Sequence, residues 1–214
     1  MISKNQADYI KELFLNWEQD IIPTNKDIAE KLKVANASAS EMIKKLKKAG
    51  FIERDALLLT PKGMKIAEKI ISNHRLWETF LIEKLGYGWE EVHEDATRLE
   101  MVSSEKMMNK LNEMLEKPKR CPHGKIIYTN NTELDGKDIS MANVKVGNVY
   151  TLSAVQDDER LLKYLNENKM QLGSQFVVIN KNDYDNSITI KTDEKEVLIT
   201  EKASKDMRVL QKNN

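Results

Sequence analysis

The apolar residues of this chain change their period near Pro118, and that change divides the fold into a helical part and a β part. Before it, hydrophobic side chains recur at helical spacing. From residue 144 onward four short alternating segments take over, VGNVYTLSAV, SQFVVIN, SITIKT and EVLIT, and a period of two marks half-buried strands. Pro118, Pro122, Gly124, Gly136 and the run TNNTELDG fill the stretch between with loop chemistry. The expected class is therefore mostly α plus a small β part, with units over 1–62 and 63–125, a linker over 126–143 and a small closed β barrel over 144–214.

The first unit reads as three helices and a hairpin. Ser3 with Gln6 makes a capping box ahead of Ala7, Ile10, Phe14 and Trp17. After Pro23, Thr24 caps a short second helix carrying Ile28, Ala29 and Leu32. A turn through Lys33, Val34 and Ala35 leads to a third, with Asn36 as its expected cap. Ala39, Met42, Ile43, Leu46 and Ala49 are expected to face inward, and Gly50 to stop the helix. Two short helices on so tight a turn form the helix-turn-helix pattern. Residues 51–60, apolar with Glu53, Arg54 and Asp55 in the middle, read as a two-stranded wing. Pro61 after Thr60 restarts a helix over about 61–85, and further helices are expected over about 89–102, 104–116 and 159–166.

Net charge is zero, so charge for a nucleic acid must be local. Between Lys31 and Arg54 stand Lys31, Lys33, Lys44, Lys45, Lys47, Lys48 and Arg54 against only Glu41 and Glu53, an excess suited to neutralising phosphates. The third helix opens with short residues that fit against base edges. The expected DNA-facing set is Lys26, Asn36, Ala37, Ser38, Ser40, Lys44, Lys45 and Arg54. A lysine-rich helix face that meets only solvent is the plainer alternative.

One cysteine, Cys121, excludes an internal disulfide. The start MISKNQADYIKEL is too polar for a secretory leader, and no apolar run approaches the roughly 20 residues that span a bilayer. A cytoplasmic protein with no membrane partner is the expectation. Nothing matches HExxH, a P-loop or a nucleophile elbow, so neither an enzyme nor a small-molecule substrate is expected.

The three histidines gather near acidic residues. His74 and Glu78 share one face of the fourth helix with Met64, Ala67, Ile71 and Leu81, which turns both inward. His93, Thr97 and Glu100 form one row of the fifth helix, and CPHG offers Cys121 and His123 two residues apart. Imidazole, carboxylate and thiolate together suit a divalent transition metal. A structural His–Glu hydrogen bond, and a solvated carboxylate at Asp8, remain the plainer alternatives.

These blocks together, with ADYIK, NKDIAEKL, SEMIKKLKKAG, LTPKG and HRLWETFLIEKLGYGWEEVHEDATRLEMVS in order, resemble the diphtheria-toxin-repressor/manganese-transport-regulator family over nearly the whole chain. The C-terminal part resembles the FeoA-like barrel of its longer members. The resemblance implies a metal-dependent repressor, activated by Mn²⁺ or Fe²⁺ (Zn²⁺ in vitro), that binds a palindromic double-stranded operator as a homodimer and controls metal-uptake genes. It assigns dimerisation and metal binding to 63–125, and Trp89, Val92, Leu99, Val102, Met108, Leu111 and Leu115 are the apolar surface expected to serve the dimer.

The resemblance also implies two metal sites. An ancillary one takes His74, Glu78, Cys121 and His123, with His93 as in some members and Asp157, or Asp158, from the barrel. The primary one falls on Asp8, Thr97, Glu100 and Met101 and is degenerate: Thr97 stands for a Cys or Glu, and Met101 for a His. A thioether is a poor Mn²⁺ ligand. Lys11 stands where one subgroup has a second carboxylate ligand, which argues against a two-manganese cluster.

Overall fold

The computed structural model describes residues 2–131 and 138–212. Part of the run TNNTELDG, from 132 on, lies outside the described residues. Helix α1 (Lys4–Trp17) begins at the expected box, Ser3 Oγ accepting from the Gln6 amide at 3.2 Å and Gln6 Oε1 from the Ser3 amide at 2.9 Å. Helix α2 (Asn25–Lys31) uses Thr24 and Asp27 in the same way. Helix α3 (Asn36–Lys48) differs from expectation: Ala35 holds the cap position without a side-chain bond, and Asn36 is already helical. Tyr9, Ile10, Phe14, Ile28, Ala39, Ile43 and Leu46 close one core. Ala49 is exposed rather than inward, because the chain leaves the helix there through Gly50 at φ +75°.

The wing is reduced to one antiparallel bridge, Ile52 to Leu59, flanked by the Glu53 amide on Leu58 O and the Thr60 amide on Phe51 O. Helix α4 (Pro61–Leu85) runs directly beneath it. A Cβ on Gly63 would stand 2.2 Å from Phe51 O, so only glycine permits this approach. The helix is unbroken for 25 residues and serves two cores. Ala67 and Ile71 belong to the first; Leu76, Trp77 and Leu81 join Val92, Ala96, Met108, Leu111, Leu115, Cys121 and Ile127 in the second. Helix α5 (His93–Val102) starts later than expected, since residues 89–92 form a turn. Helix α6 (Glu105–Met114) is capped by Ser104.

The rest is an antiparallel, barrel-like sheet. Its strands are β1 (Asp138–Ser140), β2 (Val149–Val155), β3 (Gln175–Lys181), β4 (Ile188–Lys191), β5 (Glu196–Ile199) and β6 (Met207–Gln211), ordered β1-β6-β2-β3-β4-β5. Register shifts between Leu152 and Ala154 and between Val178 and Asn180 mark bulges, which bend a sheet around its core. Among the described residues no ladder joins β1 to β5. Helix α7 (Glu159–Glu167) covers the core with Leu161, Leu162 and Leu165, and a short α8 (Glu201–Lys205) precedes β6.

Candidate metal centre and nucleic-acid interface

A cleft of about 610 Å³ opens where α1, α4, α5, the CPHG loop and the β2–α7 junction meet. Among its most buried polar groups are His74, Glu78 and His123, all 5% exposed or less. One helical turn brings His74 Nε2 to 3.0 Å from Glu78 Oε1. His123 Nδ1 lies 3.4 Å from the other Glu78 oxygen. The loop that delivers His123 is fixed by the Gly124 amide on Cys121 O at 2.8 Å and the Val155 amide on His123 O at 3.0 Å. It rests so close on β2 that a Cβ on Gly124, at φ +79°, would stand 2.1 Å from Ser153 O.

Two groups of ligand-type atoms share Glu78. One is His74, Glu78, His93 and Asp157; the other is Glu78, Cys121 and His123; within each, the atoms lie within 4.8 Å of one another. Asp157 also contacts His93 Nδ1 directly and stands 3.7 Å from His74 Nε2. Asp158, the alternative from sequence, is spent elsewhere: its carboxylate caps α7, accepting from the Arg160 and Leu161 amides at 3.0 Å each.

The donors fit a metal on two counts. His123 Nδ1 is buried and has no hydrogen-bond partner, while its Nε2 donates to Trp89 O at 2.8 Å. That second contact orients the ring and leaves Nδ1 as the nitrogen that would give up its proton to a metal, the arrangement that orients ligand histidines. The mixed imidazole, carboxylate and thiol set is also what divalent transition metals take.

Protons carry the charge in the metal-free cluster. Burial pulls the His74 pKa down, but Glu78, with Asp157 and Glu100, outweighs it and lifts it to about 10. Burial likewise works against His123, and Cys121 and Glu78 hold it at about 11. Burial raises the Glu78 carboxyl, yet the two histidines drive it well below the usual carboxylate range.

The primary-site residues line the same cleft, nearer its mouth. They do not converge as ligands. Among the described residues neither Asp8 nor Glu100 enters a group of three or more such atoms. Glu100 accepts from Lys11 Nζ at 2.7 and 2.9 Å and lies 2.6 Å from His74 Nδ1. Thr97 Oγ1 is buried without a partner, and Met101 is about half exposed. Burial raises the Asp8 pKa despite nearby Lys4 and Lys11.

One feature of the cleft's rear wall has no signal in the sequence beyond an arginine on an inward helix row. Arg75 forks onto Glu18 at 2.9 and 2.6 Å and reaches Ile126 O at 2.7 Å, while Tyr128 OH donates to Glu18 at 2.7 Å. This buried network ties α1 to α4 and to the loop after CPHG. Burial opposes the charge on Glu18, but Arg75 holds its pKa down at about 2.

In the helix-turn-helix unit, which forms the reading head, Lys26, Asn36, Ala37, Ser38, Lys44, Lys45 and Arg54 are exposed. Ser40 is half-buried and accepts from Asn25 Nδ2 at 3.1 Å, which joins α2 to α3. Lys47 braces the wing through Arg54 O at 2.6 Å. Of the apolar residues expected to serve a dimer, only Val102 is exposed; Val92, Met108, Leu111 and Leu115 are buried within the chain because α4, α5 and α6 pack on one another. The exposed apolar side chains here are Met101, Val102, Met107 and Met114.

A winged helix-turn-helix joined by one long helix to a buried His–Glu–Cys cluster defines the class of metal-dependent winged-helix regulators. Residues 1–56 match the iron-dependent repressor N-terminal DNA-binding domain, 60–129 the iron-dependent repressor metal-binding and dimerisation domain, and 139–210 the FeoA domain. The manganese regulator SloR has a solved structure 31% identical to this chain, with a TM-score of 0.85, covering 99% of this chain and 100% of that one. The structure of ScaR with bound Cd²⁺ is 30% identical at a TM-score of 0.85, covering 95% and 98%. The iron-dependent repressor IdeR of Mycobacterium leprae is 31% identical over 141 residues, 64% of this chain. That match spans 61% of the curated relative's length. The chain belongs to this family of metal-dependent transcriptional repressors.

Proposed function

We propose that the chain is a cytoplasmic repressor whose operator binding is switched by a divalent cation, Mn²⁺ or Fe²⁺, held by Glu78, Cys121 and His123 with His74, His93 and Asp157. The observation that carries this is the buried His123 nitrogen without a partner, set among a carboxylate, a thiol and further imidazoles. The bound ion supplies two positive charges at that point. With that ion bound, His74 and His123 would be neutral and Cys121 a thiolate, so one divalent ion would displace three protons. Glu78 bridges the two ligand groups, Asp157 couples the sheet to α4, and Trp89 O keeps the His123 ring aimed. No catalytic role is assigned to any of them.

The exposed face of α3, with Asn36, Ala37, Ser38 and the half-buried Ser40 at its start, enters the major groove, and Lys26, Lys44, Lys45 and Arg54 meet phosphates. Two copies associated through the exposed apolar side chains of α5 and α6 fit a palindrome, and metal-uptake genes are the targets. The domains divide at 1–62 and 63–125, and the sheet unit starts at β1, since Met141 and Val144 already belong to its core.

The test is a gel shift on the DNA upstream of its own gene with Mn²⁺, anaerobic Fe²⁺, Zn²⁺ or chelator. Tighter binding with metal, lost in His123→Ala, is the expected result. Equal binding with metal and chelator would overturn metal control and leave a DNA-binding regulator of this fold, a reading that Thr97 and Met101 at the cleft mouth favour.

A further inference from the structure

Lys11, on α1, plants a full positive charge on the Glu100 carboxylate of α5. Its ammonium touches both oxygens of Glu100, at 2.9 and 2.7 Å, and lies 3.4 Å from His74 Nδ1. Both partners of the ion pair are mostly shielded, at 16% and 12% side-chain exposure. Asp8 stands three residues earlier on α1, so it shares the face of Lys11, and both line the cleft with Thr97 and Glu100. Glu100 and His74 thus touch the ammonium directly, and Asp8 and the orphaned Thr97 hydroxyl line the same cleft.

We propose that Lys11 is a built-in cation which fills the mouth of the cleft, ties α1 to α5 without any ion, and limits each protomer to one divalent metal. An ammonium on a covalent tether cannot be chelated or diluted away. The Lys11–Glu100 tie between α1 and α5 is therefore present with or without metal, and only the histidine-lined floor of the cleft exchanges ions. Reading that floor as a metal site follows from the function proposed above; the occupancy of the mouth by Lys11 does not depend on it.

The test counts ions per protomer by native mass spectrometry and calorimetry with Mn²⁺, comparing the wild-type protein with Lys11→Glu, Lys11→Met and Lys11→Arg. Lys11→Glu, which replaces the ammonium with a third carboxylate beside Asp8 and Glu100, is expected to gain one ion over wild type. Lys11→Arg keeps the charge and is expected to gain none. In the absence of metal, amide exchange along α1 is expected to speed up in Lys11→Met and to stay slow in Lys11→Arg. A purely structural lysine would alter exchange without altering the count. If Lys11→Glu binds no more ions than wild type, or if wild type already binds two, the proposal fails. Should Lys11→Glu not fold, a Lys11→Met protein with unchanged α1 exchange would overturn it equally. The gain of one ion is a difference between variants, so it remains readable even if the floor of the wild-type cleft takes none.

Discussion

The floor and the mouth of one cleft balance their negative charge by different means. At the floor, Glu78 and Asp157 are compensated by protons on His74 and His123. At the mouth, Glu100 is compensated by His74 and, in addition, by the ammonium of Lys11. A proton can leave to solvent and be replaced by a metal, whereas a lysine side chain stays. Neighbouring carboxylates only ångströms apart can therefore differ in kind, one group poised for exchange and the other fixed. Ligand-type residues alone do not make a switch; the identity of the resident cation decides.

The harshest way to break this contrast is to remove the bridging ligand. Glu78→Gln is expected to weaken Mn²⁺ binding by at least about 100-fold, since loss of an outer-shell partner alone costs 10- to 100-fold; calorimetry showing undiminished affinity would move the site elsewhere. Next comes pH. His74 and His123 hold protons up to about pH 10 and about pH 11, so binding at pH 6–8 must expel them. Affinity is expected to rise with pH by about 100-fold per unit from the two histidine protons alone, and more steeply where binding also expels the Cys121 thiol proton. Calorimetry in buffers of different ionisation enthalpy measures that proton count, and a count of zero would show that the floor is neutral. In the metal-free protein the sign for stability is opposite: the raised histidines stabilise the fold fully below their unfolded pKa near 6.5, and that contribution fades as pH climbs through 10–11. The smallest effect belongs to the mouth. Thr97→Val removes a hydroxyl that has no partner, so thermal unfolding is expected to show stability unchanged or raised by up to about 1 kcal/mol. Metal affinity should stay where it was; a clear loss would make Thr97 a ligand.

Much of this was legible from the sequence because it rests on local patterns. The caps at Ser3, Thr24 and Thr60 and the bounds of α4 follow from residues a turn apart. His74 and Glu78 could be assigned to one inward face from helical spacing alone. What escaped depends on long-range contacts or weak local signals. Strands β1 and β6 lie outside the four alternating segments, and β1 has only three residues and gains its form by pairing with β6. The choice of Asp157 over Asp158 turned on which carboxylate the start of α7 consumes. The Arg75–Glu18 fork joins residues 57 apart, and the Lys11–Glu100 pair residues 89 apart; no periodicity records either.

The unbroken α4 has a mechanical meaning. Gly63 pins it beneath the wing, and Glu78 sits in the cluster some four turns on, roughly 22 Å along the rod at 1.5 Å per residue. With no kink between them to absorb strain, a sideways displacement of about 1 Å at the ligand end tilts the whole rod by roughly 3° over that length. Ion size thus becomes an angle at the head, and two metals that differ by a fraction of an ångström in bond length would aim the same recognition helix differently.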